Sequence, residues 1–163
     1  GLVGSEMCIR DRFSYAFKDR NKMAHHFAAP RFEFVRIVPG EPIDVLGVQV
    51  MPIRLQHGRL PILGFRIGDI AFCTDVSSIP LESKKYLQNL DTLILGALRY
   101  KPHPTHLHVD AAVSIAQQLK PKRTFLTHMA HDLDFDTLSR ELPDGIAPAH
   151  DGLVLHCPAA SKV

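Results

Sequence analysis

Three cysteines, Cys8, Cys73 and Cys157, are all that the 163 residues contain. They are too few and too scattered for a disulfide framework, so a reducing, cytoplasmic compartment is the default expectation. No apolar run approaches the ~18 residues that a membrane-spanning helix requires, which argues against a membrane protein. The opening also lacks an apolar core of signal-peptide length. Charge of one sign is scarce: 19 Lys and Arg against 17 Asp and Glu leave a net +2. That balance makes no electrostatic case for nucleic acid or an anionic membrane as partner. Internal repeats and linkers are missing too. What remains is 45% hydrophobic and 22% charged, the composition of one globular domain with a sizeable core and a small-molecule role.

The first twelve residues, GLVGSEMCIRDR, have no helical or strand period and no relation to the rest of the chain. Residues 1–12 read as translated adapter sequence, so residues 13–163 are expected to be the C-terminal part of a single domain whose true N-terminus lies upstream. Residues 13–27 are mixed in character, and residues 32–38 alternate as a strand. PGEP at 39–42 marks a turn, and residues 43–55 form two short β-rich runs broken at Gly47. A second hairpin spans 62–67 and 70–74, turning at Gly68-Asp69. Then the period changes. Residues 80–90 have helical spacing behind Pro80, and TLILGAL at 92–98 is a continuous apolar run suited to a strand buried on both faces. Helices are predicted over 109–119 and 134–142, and strands over 124–127 and 152–156. Hairpins followed by β-α-β-α-β predict an α/β (α+β) domain, a mixed sheet with helices packed on it.

Ten histidines are the surplus, eight of them from His57 onward. Three polar residues close apolar strands: His57 ends VMPIRLQH, Asp75 ends AFCTD and His128 ends TFLTH. The carboxyl ends of strands in open α/β sheets hold ligands, because side chains converge there from rigid elements. Two imidazoles and a carboxylate suit Zn, Mn or Fe. Taken singly, His57 also reads as a turn residue before Gly58, Asp75 as a helix N-cap and His128 as a core histidine. A second cluster, KPHPTHLHVD, sets His103, His106 and His108 in a loop stiffened by two prolines. It fits a histidine aimed at substrate as general acid or charge stabiliser, or a solvated loop in which Thr105 caps the next helix. His131 follows His128 at a spacing that reaches one site or two different ones, and Asp151 in AHDG reads as a turn residue before the last strand.

The motifs LQHG, GFRIG, FCTDVSSIP, RYKPHPTHL, LTHMAHDLD and PAHDGLVL occur in that order over roughly two thirds of the chain. Together they resemble the C-terminal half of metallo-β-lactamase-fold hydrolases, specifically the phosphoribosyl 1,2-cyclic phosphate phosphodiesterases. The resemblance implies a partial αββα sandwich and metal-dependent hydrolysis of a small cyclic phosphate ester by a two-metal-activated water. It implies two divalent ions, Zn or Mn, with His57 on the first, Asp75 bridging and His128 on the second. His106, twenty-two residues before His128, takes the place of the catalytic histidine, and His131 that of a ligand to an additional structural zinc. Asp151 and His108 would stand behind the metal ligands or against substrate.

The family's His-x-His-x-Asp-His and Cys-x-Cys-x-x-Cys motifs occur nowhere in this sequence, and His25-His26 does not substitute for the former. Gly96 stands where many relatives carry an aspartate, which would loosen the hydrogen bonding behind the ligands. A fragment lacking those ligands is expected to be nearly inactive by itself, whereas its full-length parent is expected to be an enzyme. The partner implied is a small-molecule phosphate ester, with no nucleic acid and no membrane, and a homodimer is compatible with it. Alternatives are a nuclease or thioesterase of the same superfamily, a non-enzymatic metal-binding or interaction module, and a plain α/β domain.

Overall fold

The computed structural model describes residues 9–17 and 34–156. Two compact units divide the chain, Gly1–Arg36 and Ile37–Val163. In the first, Ser14–Phe17 form a short 3-10 helix. The rings of Phe17 and Phe34 stack with centres 5.5 Å apart, and the Arg10 guanidinium lies 5.1 Å from each centre, within cation–π range.

The second unit is built on a seven-stranded sheet whose spatial order follows the sequence. Its strands are β1 (Ile43–Val45), β2 (Val48–His57), β3 (Leu60–Ile67), β4 (Ile70–Cys73), β5 (Thr92–Gly96), β6 (Arg123–Thr127) and β7 (Ile146–Pro148). β1 to β4 pair antiparallel and β4 to β7 pair parallel. Connection length explains the switch: two-residue turns join the first four strands, whereas parallel neighbours require long crossovers. Those crossovers carry a 3-10 helix (Leu81–Leu87), then α1 (Val109–Leu119), then α2 (Phe135–Glu141).

Alternation along the strands divides the sheet into two faces. Ile53, Leu55, Ala71, Cys73, Leu93, Leu95 and Leu126 are wholly buried and join Leu87, Leu107, Ala112 and Leu119 in one core. This is the face covered by the 3-10 helix and α1. On the opposite face the register aligns Phe65, Phe72, Ile94, Phe125 and Ala147 in one row across five strands. Phe72 in that row is 47% exposed. Asp91 ties the starts of β5 and β6 together, accepting from Thr92 Oγ1 at 2.9 Å and pairing with Lys122 and Arg123. The Thr92 hydrogen bond chiefly, helped by those two cations against partial burial, holds the Asp91 carboxyl below the usual carboxylate range.

Three expected elements come out differently. Residues 34–38 of the strand expected at 32–38 are not strand, and the rest of it lies outside the described residues. Among the described residues the sheet ends at β1 and takes in no part of this run. The helix expected over 80–90 is the 3-10 helix Leu81–Leu87, because extended Gln88 and left-handed Asn89 stop it after seven residues. The closing strand is Ile146–Pro148, which takes the free edge of β6, while 152–156 come after a turn and lie outside the sheet.

The β1–β2 turn places both Leu46 (φ 54°) and Gly47 (φ 82°) in the left-handed region, as a type I′ turn demands. Asp44 Oδ1 accepts from the Gly47 N–H at 3.0 Å. Leucine is costly in that conformation, and Leu46 is 99% exposed, so packing gives nothing back. Leu46→Asn, which writes the favoured Asn-Gly pair, should raise stability by about 0.5–1 kcal/mol. Thermal or urea unfolding of the two proteins checks it.

Candidate functional site

β2 and β4 both lie antiparallel to β3, and β4, β5 and β6 are parallel, so the C-terminal ends of β2, β4 and β6 share one edge. His57 is the last residue of β2, Asp75 follows β4 by two residues and His128 follows β6 directly. The shared edge expected for the three strand-ending residues is therefore what the topology produces. The adjoining loops are laced together by their backbones. Ser77 N–H donates to the Gln56 carbonyl at 2.7 Å, Leu107 N–H to Val76 at 2.7 Å, Leu98 N–H to Leu107 at 2.9 Å and Ala130 N–H to Leu98 at 2.8 Å. Ser77 Oγ adds a bridge, accepting from Gly58 N–H and donating to Gln56. Gly58 adopts a left-handed φ of 61°, and a Cβ there would press on the Thr105 methyl at 3.0 Å.

Asp75 is the centre of the cluster. Its Oδ1 lies 3.3 Å from His128 Nε2 and 3.5 Å from His106 Nε2. His57 Nδ1 is 2.8 Å from the Asp75 carbonyl. A carbonyl only accepts, so His57 donates from Nδ1, and Nε2 is the ring nitrogen left to face a ligand. The His106 ring stands edge-on to His57 at 4.6 Å and stacks on His128 at 4.9 Å. Asp75 (φ 54°) and His128 (φ 61°) are both left-handed. Aspartate and histidine enter that region more readily than most residues, and such backbone conformations collect at functional sites.

The donor atoms of Asp75, His106 and His128 all lie within 4.8 Å of one another. A tetrahedral zinc with bonds near 2.0–2.1 Å requires neighbouring ligand atoms about 3.3 Å apart. The spacings around Asp75 Oδ1 match that, so the donor set fits a divalent ion in both chemistry and distance. Asp75 and His128 are well exposed, while the His106 side chain is only 15% exposed. Burial is the main reason the His106 pKa lies below the ordinary imidazole value. Charge on His57, His128 and His103 pushes the same way, and the hydrogen bond to Asp75 pushes back. Cys73, two residues before Asp75, has its thiol pushed up to about 12 by burial and takes no part as a thiolate.

The remaining candidates fall outside this cluster. His108 is the N-cap residue of α1, with no side-chain hydrogen bond to the helix. Asp75 precedes no helix, so its N-cap reading is set aside. Thr105 does not cap α1 either, because its hydroxyl lies between His103 and His106. His131 is exposed, and among the described residues no second group of three metal-binding side chains forms around it. Cys8, Cys157 and His25-His26 lie outside the described residues. Asp151 is exposed in the turn closed by Leu153 N–H donating to the His150 carbonyl. The sequence reading undervalued His103 and Thr105. Their signal was the PHPTH spacing, which folds back on itself around His106.

Fold and site together define an α/β protein whose parallel strands bring a histidine–aspartate cluster to one edge of the sheet. The chain belongs to the beta-lactamase superfamily: that superfamily's domain model matches residues 6–129, and the architecture is the metallo-β-lactamase fold. A solved diphosphatase of the PhnP family is 41% identical with a TM-score of 0.80, covering 94% of this chain and 55% of that one. A metallo-β-lactamase-fold protein from Bacillus subtilis, 19% identical with a TM-score of 0.64 over 78% of this chain and 56% of its own, shares the fold. A protein of Porphyromonas gingivalis named octanoyltransferase is 34% identical over 147 residues, 89% of this chain but 29% of that protein. The chain therefore spans about half of the diphosphatase and under a third of the octanoyltransferase.

Proposed function

We propose that this chain supplies one part of the metal-holding edge of a hydrolase that cleaves a small phosphate ester, a cyclic phosphodiester by preference. The observation that carries the reading is the Asp75 carboxylate flanked by the Nε2 atoms of His106 and His128, with His57 oriented by the Asp75 carbonyl. A bound zinc or manganese would supply a Lewis acid and acidify water near neutral pH. Asp75 and His128, which belong to the donor group found here, would hold it, and the family resemblance adds His57, whose Nδ1 is fixed on the Asp75 carbonyl. His106 Nε2, 3.5 Å from Asp75 Oδ1, stands where it can hand a proton to the leaving oxygen.

The ligands for a second ion would come from sequence beyond these 163 residues, since no His-x-His-x-Asp-His occurs among them. The apolar row from Phe65 to Ala147, with Phe72 half exposed, supports the same reading, because a sandwich partner would cover it. A structural zinc on His131 would likewise need thiolates from elsewhere. The name of the 41%-identical relative favours a second reading, cleavage of a diphosphate.

The test is an assay of the complete gene product with manganese against a 1,2-cyclic ribose phosphate, a diphosphate ester, a precursor tRNA and an acyl thioester. Turnover of the cyclic phosphate, falling on the order of 100-fold in His128→Ala, is expected. Preference for the diphosphate would select the second reading. Turnover of only the tRNA or the thioester would overturn both.

A further inference from the structure

The register that gathers the metal edge also brings a residue of β7 to it. Ala71, Leu93, Thr124 and Ile146 stand level across β4 to β7, and Cys73, Leu95, Leu126 and Pro148 form the next level on the same face. Two residues further along each chain come Asp75, Ala97, His128 and His150. Strand side chains return to one face every second residue, so His150 takes on β7 the place that His128 takes on β6. The ladder holds almost to that level, since Ala97 N–H donates to the Thr127 carbonyl at 2.8 Å and Ala149 N–H to that of Leu126 at 2.7 Å.

His150 is not one of the three clustered donors. Its Nδ1 donates to the Asp151 carbonyl at 3.0 Å, and its ring meets that of Phe135 with centres 5.8 Å apart and planes at 85°. Phe135 opens α2 after the loop that leaves β6, so it lies at the same edge. Its ring is 42% exposed and stays out of the small core made by Val109, Leu133 and Leu138. Fastening the chain does not require the pair. Leu153 N–H already closes the turn onto the His150 carbonyl at 3.1 Å, and Asp134 Oδ1 caps α2 through Thr137 N–H at 2.9 Å.

We infer that Phe135 and His150 form a stacking subsite beside the metal edge, for a planar ring carried by the substrate. Exposed aromatic faces hold nucleobases by stacking, whatever the base. Two perpendicular rings make a corner in which a flat ring lies on one face and turns its edge to the other. The subsite starts on β7, two strand spacings or about 10 Å from Ala97, which stands between Asp75 and His128 in the row. The ligand is therefore a phosphate ester that carries its ring through a spacer of sugar size.

The identity of the substrate rests on the hydrolase reading, but ring binding does not. The experiment compares adenosine 2′,3′-cyclic phosphate, which has a base, with a 1,2-cyclic ribose phosphate, which has none, in the complete gene product with manganese. Phe135→Ala should lower kcat/KM for the first about 5- to 100-fold more than for the second. Phe135→Trp, which restores a ring face, should keep the native ratio. Adenosine monophosphate titrated into the zinc-loaded protein should shift the His150 ring signals in NMR, and Phe135→Ala should weaken that binding by a similar factor. Equal losses on the two esters, or nucleotide binding that leaves His150 unmoved, overturns the subsite. Nucleotide binding against His150 with no turnover of either ester sinks the hydrolase reading alone.

Discussion

Asp75→Asn should abolish metal binding by this chain while leaving its fold intact. Asp75 is the one anion in the cluster and the atom to which both His106 and His128 are spaced. Asparagine offers a neutral oxygen in its place. Since the loss of a group that merely orients a ligand already costs about 10- to 100-fold in affinity, loss of the central ligand should cost on the order of 100-fold or more. The backbone has little reason to object. Asparagine is among the few residues at ease at the φ of 54° found here, and the hydrogen bond from His57 goes to the main-chain carbonyl, which the substitution keeps. The expected stability change is within about 0.5 kcal/mol. Calorimetric zinc titration beside thermal unfolding separates the two quantities. A variant that binds as the native chain does would remove Asp75 from the site, and a variant that unfolds would make its role structural.

The second large effect is expected from Leu95→Ala. Leu95 is wholly buried in β5, between β4 and β6, in the core beneath α1. Truncation removes three carbons from a site that a paired central strand cannot collapse, so roughly 2–5 kcal/mol should be lost. That corresponds to a fall of roughly 4–20 °C in Tm for a domain of this size. Leu81→Ala, at a leucine 82% exposed on the 3-10 helix, should change stability by no more than about 0.5 kcal/mol. Equal effects at the two leucines would contradict the assignment of the core.

Much of this was legible in the sequence because the physics was local. The continuous apolar run at 92–98 read as a strand, which the structure forms as Thr92–Gly96, and Gly68-Asp69 read as the tight turn that joins β3 to β4. Polar residues closing three strands pointed to one edge once the strand directions were known. Topology then made β2, β4 and β6 co-directional. What failed depended on neighbours. The alternation at 152–156 looks as strand-like as that of Ile146–Pro148, yet only the latter meets the free edge of β6. The 3-10 form of Leu81–Leu87 is set by where the chain must turn after Leu87, which periodicity does not carry. The inward fold of the PHPTH loop was hidden for a similar reason. It depends on the closeness of Gly58 to Thr105, a contact between residues 47 positions apart in the sequence.

The central claim is that the edge formed by His57, Asp75, His106 and His128 is a metal site. The measurement that tests it most directly is a zinc titration of the chain followed through its histidine ring signals by NMR. About one ion per chain should saturate the change, shifting His57, His106 and His128 together and leaving His131 and His150 where they were. Saturation through His131 or His150, with the strand-end histidines unmoved, would contradict the account.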